Sequence, residues 1–385
     1  MPPIYLDHNA TTPLRPEAAE AMARLAAEPL GNPASGHAAG RKGRRILEDA
    51  REQVAGLLGA SPAEVLFTSG ATEANNLAIF GLVPRGTPAR ILAAKFEHPC
   101  VIEPLRVLAD AGATVEWMDV DSRGIVEFPK RGDSVPLSHD GRGTPSPRFH
   151  CLMLANHETG AIQPVREFGK LFPGVPLHTD AAQAVGKIPV HFRDLGCTTL
   201  TASAHKFGGP VGVGLLIVKE GVKLKPLAFG GHQQRGQRPG TESVALAAGL
   251  AAALAAAVQG MDRNARHGHA LRGRFLEALR GYGCPFVVNG PAPGDPAGLP
   301  TTLNLSFPGC RAELLLMALD LAGIACSTGS ACSSGSLLAS PVLQSMRVPE
   351  EVLESAMRFS FGWNQTEAEV VEAAARISGV VQSMR

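Results

Sequence analysis

The sequence carries almost no net charge: 36 Lys and Arg against 35 Asp and Glu leave a formal +1 over 385 residues. That balance gives no electrostatic footing for nucleic acid or for an anionic membrane surface. Long hydrophobic runs are missing too. The longest, ALAAGLAAALAAAV at 245–258, is Ala-rich and short of the ~20 residues a membrane span needs, so a packed helix is expected there. The first residues, MPPIYLDHNATTPLRPE, have no basic stretch leading into an apolar one. No secretory signal is therefore expected, and a cytoplasmic enzyme is the default. The seven cysteines (Cys100, Cys151, Cys197, Cys284, Cys310, Cys326 and Cys332) are odd in number and form no CxxC pair. Neither a zinc ribbon nor a disulfide framework is supported, and no metal site is expected. Most of the cysteines are expected to be small buried apolar residues.

What is present suits a globular chain with one large and one small domain: 45% of residues are hydrophobic and 18% charged. RKGRRILEDAREQVAGLLGA (41–60) places Ile46, Leu47, Ala50, Val54, Leu57 and Leu58 on one helical face. Val65 to Phe67 read as a short strand, broken by TSGAT and followed by a helix over 73–80. ARILAAKFEHPC is a strand and turn, VIEPLRVLADAG a helix, and ATVEWMDV a strand. FHCLMLANHETG and VPLHTDAAQAVG are strands ending in polar residues, and TTLTASAHKF and VGVGLLIVKE follow. Alternating strands and helices, with polar clusters at strand C-termini, predict an α/β sheet that binds ligand at that edge. The stretch FPKRGDSVPLSHDGRGTPSPR (128–148) reads as a surface loop or disordered insert. MDRNARHGHALRGRFLEALRGYG reads as a long helix opening a second domain near residue 260.

Within TASAHKFGGP (201–210), Lys206 is flanked by Ser203, Ala204, Gly208 and Gly209 and lies between apolar stretches. A lysine is usually a surface residue. Held among close-packed small residues, its ammonium is disfavoured, and a Schiff base relieves that cost. A pyridoxal phosphate site then needs a phosphate cradle, an acid at the pyridine nitrogen and a group against the ring. TSGATEANN (68–76) offers a helix N-terminus with Thr72 for the phosphate, though such turns often only cap helices. Asp180 stands 26 residues before Lys206 at a strand end; it could hold the pyridine nitrogen or merely cap the turn after it. His98, in KFEHP, could stack on the ring or be an ordinary hydrogen-bonded residue. In CSTGSACSSGS (326–336), Cys332 has Gly, Ser and Thr neighbours, which suits an exposed nucleophilic thiol. A Cys326–Cys332 disulfide is disfavoured in a reducing compartment, and a metal pair lacks further ligands nearby.

Taken together, YLDHNATTP, GNPAS, FTSGATEANN, HTDAAQAVGK, SAHKFGGPVGVG, RPGTE, GSACSSGS and RFSFG resemble the cysteine desulfurases of the NifS/IscS type, class V aminotransferase-like enzymes of fold type I. The likeness runs from Tyr5 to about Trp363, leaving out 128–148 and the C-terminal helix. It implies a large domain at 15–260 binding pyridoxal phosphate, and a small α+β domain of 1–14 and 261–385 bearing the catalytic cysteine. By resemblance, Lys206 is the Schiff-base lysine and moves protons, Asp180 pairs with the pyridine nitrogen, and His98 stacks on the ring and shuttles protons. Gln183 lies near the phenolic oxygen, while Ala71, Thr72, Ser203 and His205 take the phosphate. Thr241 reaches the phosphate of a partner subunit, implying a homodimer. Cys332 attacks the sulfur of L-cysteine to become a persulfide, L-alanine leaves, and the sulfur passes to an acceptor or scaffold protein. Arg358 grips the substrate carboxylate as a fork, with Asn32 and Asn156 also expected near substrate. His157 stands where the family usually has a cofactor-contacting asparagine; both it and Asn156 before it are expected at the cofactor and the substrate. Histidine can give one hydrogen bond there but cannot copy an amide's two groups.

Two other readings belong to different classes. Another enzyme of the same fold, such as a selenocysteine lyase, a cysteine-conjugate lyase or an aminotransferase, would not need Cys332. A non-catalytic sulfur-transfer partner would have lost Lys206 or Asp180, and both are present.

Overall fold

The computed structural model describes residues 2–128, 148–329 and 339–385. The stretch expected as a loop at 128–148 lies outside the described residues except for its two ends, and so does Cys332.

After β1 (Ile4–Tyr5), the chain builds a sheet from β2 (Val65–Thr68), β3 (Arg90–Ala94), β4 (Thr114–Met118), β5 (Arg148–Cys151), β6 (Leu177–Asp180), β7 (Thr199–Ser203) and β8 (Gly214–Val218). These seven strands lie in the order β2-β8-β7-β6-β5-β3-β4. All neighbours are parallel except β8, which runs antiparallel to both β2 and β7. Successive side chains on a strand face opposite sides, and the packing follows that rule. Phe67, Leu92, Leu200, Leu215 and Ile217 face one apolar cluster with Leu47, Val54, Leu250 and Leu254. Leu66, Leu216 and Val218 face another with Leu77, and Ile91 and Ala93 face a third with Val101 and Leu105. Helices Ala38–Leu58 and Val244–Gln259 thus cover one face; Ala71–Leu82 and Pro99–Asp110 cover the other. The sheet is buried on both sides, as a mostly parallel sheet requires.

The helix expected at 41–60 runs Ala38–Leu58 and stops at Gly59, whose φ of +64° is the left-handed cap that ends many helices. The Ala-rich helix and the next, Met261–Gly281, meet at a 69° bend. No single helix among the described residues is long and apolar enough to cross a membrane, although that bent pair passes by length and composition taken together.

Further strands are β9 (Val287–Asn289), β10 (Thr302–Ser306), β11 (Ile324–Ala325) and β12 (Ala356–Ser360). They form an antiparallel trio, β12-β10-β9, while β1 pairs in parallel with β11. Their cluster unites Ile4 and Leu6 with Leu271, Phe275, Leu303, Phe359 and Ile377.

Candidate active site

β2, β6 and β7 end on Thr68, Asp180 and Ser203, at one edge of the sheet. β8 runs the other way, so its first residue, Gly214, pairs with both Thr68 and Ser203 at that same edge. A Cβ on Gly214 would sit 2.7 Å from Gly70 Cα and 2.8 Å from the Ala202 oxygen. Glycine there lets the loop after β2 lie against the sheet. A cavity of 290 Å³ opens at this edge, close to the smaller ligand pockets of about 300 Å³.

Lys206 lines it, in the single turn Ala204–Lys206 that follows β7. The turn closes tightly because the Ala204 oxygen accepts from both Phe207 N (3.1 Å) and Gly209 N (2.8 Å). Gly208 has a φ of +87°, and a Cβ on it would meet Arg15 at 2.6 Å. Lys206 Nζ donates to the Asn9 oxygen at 2.7 Å and the Ala10 oxygen at 2.9 Å. The segment after β1 thus supplies two acceptors for this amine.

Asp180 also lines the cavity. Its Oδ1 accepts from Ala182 N at 2.9 Å, so it does cap the following turn. Its Oδ2 accepts from Asn75 Nδ2 at 2.8 Å. An ionised carboxylate only accepts, which turns the Asn75 amide group toward it and leaves the Asn75 Oδ1 for His178 Nε2, at 2.9 Å. His178 Nδ1 lies 2.9 Å from Thr199 Oγ1, and burial pushes the His178 pKa down to about 4, so the ring is neutral.

Helix Ala71–Leu82 begins behind Gly70, which has no side chain to cap it. Its first N–H groups lack helical acceptors and, with the helix dipole, suit an anion. Ala71, Thr72, Ser203 and His205 join them in the wall. Ser69 N donates to Glu73 Oε2 at 2.6 Å, and Arg238 clasps Glu73 at 2.7 and 3.1 Å. Burial and the positive charges of Lys206 and Lys187 bring His205 down to about 4.

His98 both caps helix Pro99–Asp110, accepting from Cys100 N, and lines the cavity. His157 meets it edge to face, with ring centroids 5.2 Å apart. Gln183 lines the cavity with its Nε2 on the Asn9 oxygen (3.0 Å) and its Oε1 accepting from Lys187 at 2.7 Å. Arg358, on β12, is buried; its Nη2 donates to Asp7 at 2.7 Å, its Nη1 to the His157 oxygen at 3.2 Å, and its Nε has no partner among the described residues.

Two residues expected near substrate are placed otherwise. Asn156 is fully buried and outside the cavity wall. Its Oδ1 accepts from Glu158 N (2.9 Å) and Thr159 N (3.0 Å), holding its own loop in the turn that presents His157. Asn32 is exposed, and its Oδ1 accepts from Ala34 N at 2.9 Å. Both are Asx-type turns, a local use that competes with ligand contact. Thr241 is exposed and does not line the cavity of its own chain. Asn75, His178, Asn9 and Lys187 gained no role from the sequence; they stand in TSGATEANN and HTDAAQAVGK, beside residues that did, and in LDHNATTP.

The lining fits pyridoxal phosphate. It combines N–H and hydroxyl donors at a helix start, an acceptor-only carboxylate braced from behind, an amine, and a flat imidazole. With a mostly parallel sheet presenting these groups at its C-terminal edge, the molecule is a pyridoxal phosphate enzyme of fold type I. The sequence matches the family Aminotransferase class-V over residues 4–372. Cysteine desulfurase IscS of Dictyoglomus turgidum is 38% identical over 99% of this chain and 95% of its own length. IscS-like cysteine desulfurase of Mycobacterium tuberculosis is 39% identical over 99% of this chain and 97% of its own. A solved structure described as a NifS-like protein has a TM-score of 0.89 at 33% identity, covering 99% of this chain and all of that one. The chain belongs to the class-V aminotransferase family, among the cysteine desulfurases of the NifS/IscS type.

Proposed function

We propose that this chain is a pyridoxal phosphate-dependent cysteine desulfurase: it moves the sulfur of L-cysteine onto Cys332 as a persulfide and releases L-alanine. The observation that carries this reading is the meeting of Lys206, Asp180, His98, Thr72, Ser203 and His205 around one cavity, in a chain whose relatives bear that activity in their names.

Lys206 would bind the cofactor's aldehyde carbon and Asp180 its pyridine nitrogen. Gln183 would meet its phenolic oxygen, and Thr72, Ser203, His205 and the helix start at Ala71 its phosphate. Bound there, the cofactor supplies an electron sink that makes the substrate Cα–H acidic and weakens the C–S bond. Lys206 Nζ takes and returns the proton at Cα. His98 would stand against the cofactor ring, with His157 edge-on to His98. Arg358 anchors the substrate carboxylate; Asp7 already orients its guanidinium, and its Nε, without a partner among the described residues, is a donor open to an acceptor. The Cys332 thiolate attacks the substrate sulfur, the C–S electron pair passes to Cβ, which takes a proton to become the methyl group of L-alanine, and Cys332 keeps the sulfur for an acceptor protein.

A homodimer is part of the reading. Val211, in the cavity wall, is 74% exposed, and Phe229 is 90% exposed; large apolar side chains left this open suit a protein interface. Thr241, exposed on its own chain, would complete the partner's phosphate cradle. The division into 15–260 and 1–14 with 261–385 is supported by the apolar clusters, except that Leu299, Val342, Leu343, Met346 and Ala356 pack with the first. The free thiols suit work in the cytoplasm.

Purified protein loaded with pyridoxal phosphate should be yellow, with the chromophore covalently retained in the wild type and not in Lys206→Ala. A colourless protein that takes up no cofactor would overturn the reading.

A further inference from the structure

Cys100 lines the cofactor cavity and has no part in the reaction above. It is the second residue of helix Pro99–Asp110 and touches three polar groups of the site. Its backbone N–H donates to His98 Nδ1 at 3.2 Å, and its Sγ lies 2.8 Å from the same nitrogen. Asn75 Nδ2 lies 3.0 Å from that sulfur and 2.8 Å from Asp180 Oδ2. The sulfur is 3.9 Å from Asp180 Oδ2.

Counting hydrogens gives this network one direction. Asp180 accepts, so the Asn75 amide group spends one hydrogen on Asp180 and points the other at Cys100, whose sulfur is the acceptor. The thiol keeps its own hydrogen, because burial and then the charge of Asp180 push its pKa up. The nearer acceptor for that hydrogen is His98 Nδ1. The same nitrogen faces the Cys100 backbone N–H, a donor that cannot be reversed, so it carries a lone pair.

We infer that Cys100 is a positioning residue: its N–H and S–H together fix His98 as the Nε2–H tautomer, so that the imidazole serves the cavity as a hydrogen-bond donor. Burial lowers the His98 pKa; Asp180 opposes that, while Lys206 and Arg358 add to it. His157 is the other ring against it, and it too is held neutral by burial. A neutral His98 with its proton on Nε2 gives a proton before it can take one. The base at Cα is then Lys206. That consequence rests on the desulfurase reading; the tautomer does not.

Nitrogen-15 spectra of the histidine rings test it in apo and cofactor-loaded protein, with His98 assigned through His98→Gln. The wild type is expected to show His98 as Nε2–H in both forms. Cys100→Ala removes a donor to the Nδ1 lone pair and should raise the His98 titration midpoint by about half a pH unit or more. Cys100→Ser, which can both donate and accept, should restore it. An Nδ1–H tautomer in the wild type, or an unchanged midpoint in Cys100→Ala, overturns the inference. Neither result touches the cofactor-binding test of the desulfurase reading.

Discussion

Glu97 keeps its carboxyl away from water, with Oε1 accepting the Met153 N–H at 2.6 Å. Burial, and then the charge of Asp180, push its pKa from 4.5 up to about 8. Between those values the folded chain holds a proton that the unfolded chain has lost. The stability tied to this group is full below 4.5 and is lost as pH rises to about 8, by up to about 1.4 kcal/mol per pH unit. Glu97→Gln can keep the bond from Met153 and should flatten that fall in thermal melts; an unchanged slope would contradict the assignment. His8, His178 and His205, each held at about 4, act in the opposite direction. The unfolded chain takes up protons below 6.5 that the folded one refuses, so these three cost stability as pH falls. At this scale the sequence spoke clearly where a residue type has few uses in its setting, as with Lys206 among small residues. It was silent on Asn75, whose role depends on Asp180, 105 positions away, and on a carboxylate deciding how an amide turns. At Asn32 and Asn156 it held no sign of the local use the structure shows, a short amide side chain bonded to its own backbone.

The strands and helices were legible because apolar residues alternate or recur at helical spacing. The reversal of β8 was not, since VGVGLLIVKE reads the same in either direction across a sheet buried on both faces. That reversal brings Gly214 to the cavity edge, where the loop at Gly70 leaves no room for a methyl group. Gly214→Ala should cost roughly 1–3 kcal/mol by overpacking and weaken cofactor retention, because the loop it displaces leads into the helix start at Ala71. Equilibrium dialysis with pyridoxal phosphate, beside a denaturant melt, separates the two effects. Retention equal to the wild type would show that this loop does not hold the phosphate.

For the molecule as a whole, the two-layered covering of the sheet was readable from alternating elements. The order of strands was not, because it is set by contacts between segments far apart in the chain. The proposed dimer rests on the exposed apolar side chains of Val211 and Phe229. Phe229→Asp should shift the protein in sedimentation from a pair of chains to a single chain, and should loosen the cofactor as the partner's Thr241 is lost. A single chain in the wild type would contradict the proposed dimer.

The most direct measurement follows sulfur and carbon together. Cofactor-loaded protein is given L-cysteine, L-alanine is quantified, and the peptide containing Cys332 is weighed after alkylation. The account predicts one added sulfur atom on Cys332, alanine formed in step with it, and neither in Cys332→Ala. Alanine and sulfide produced by Cys332→Ala at the wild-type rate would contradict it and make the chain a lyase.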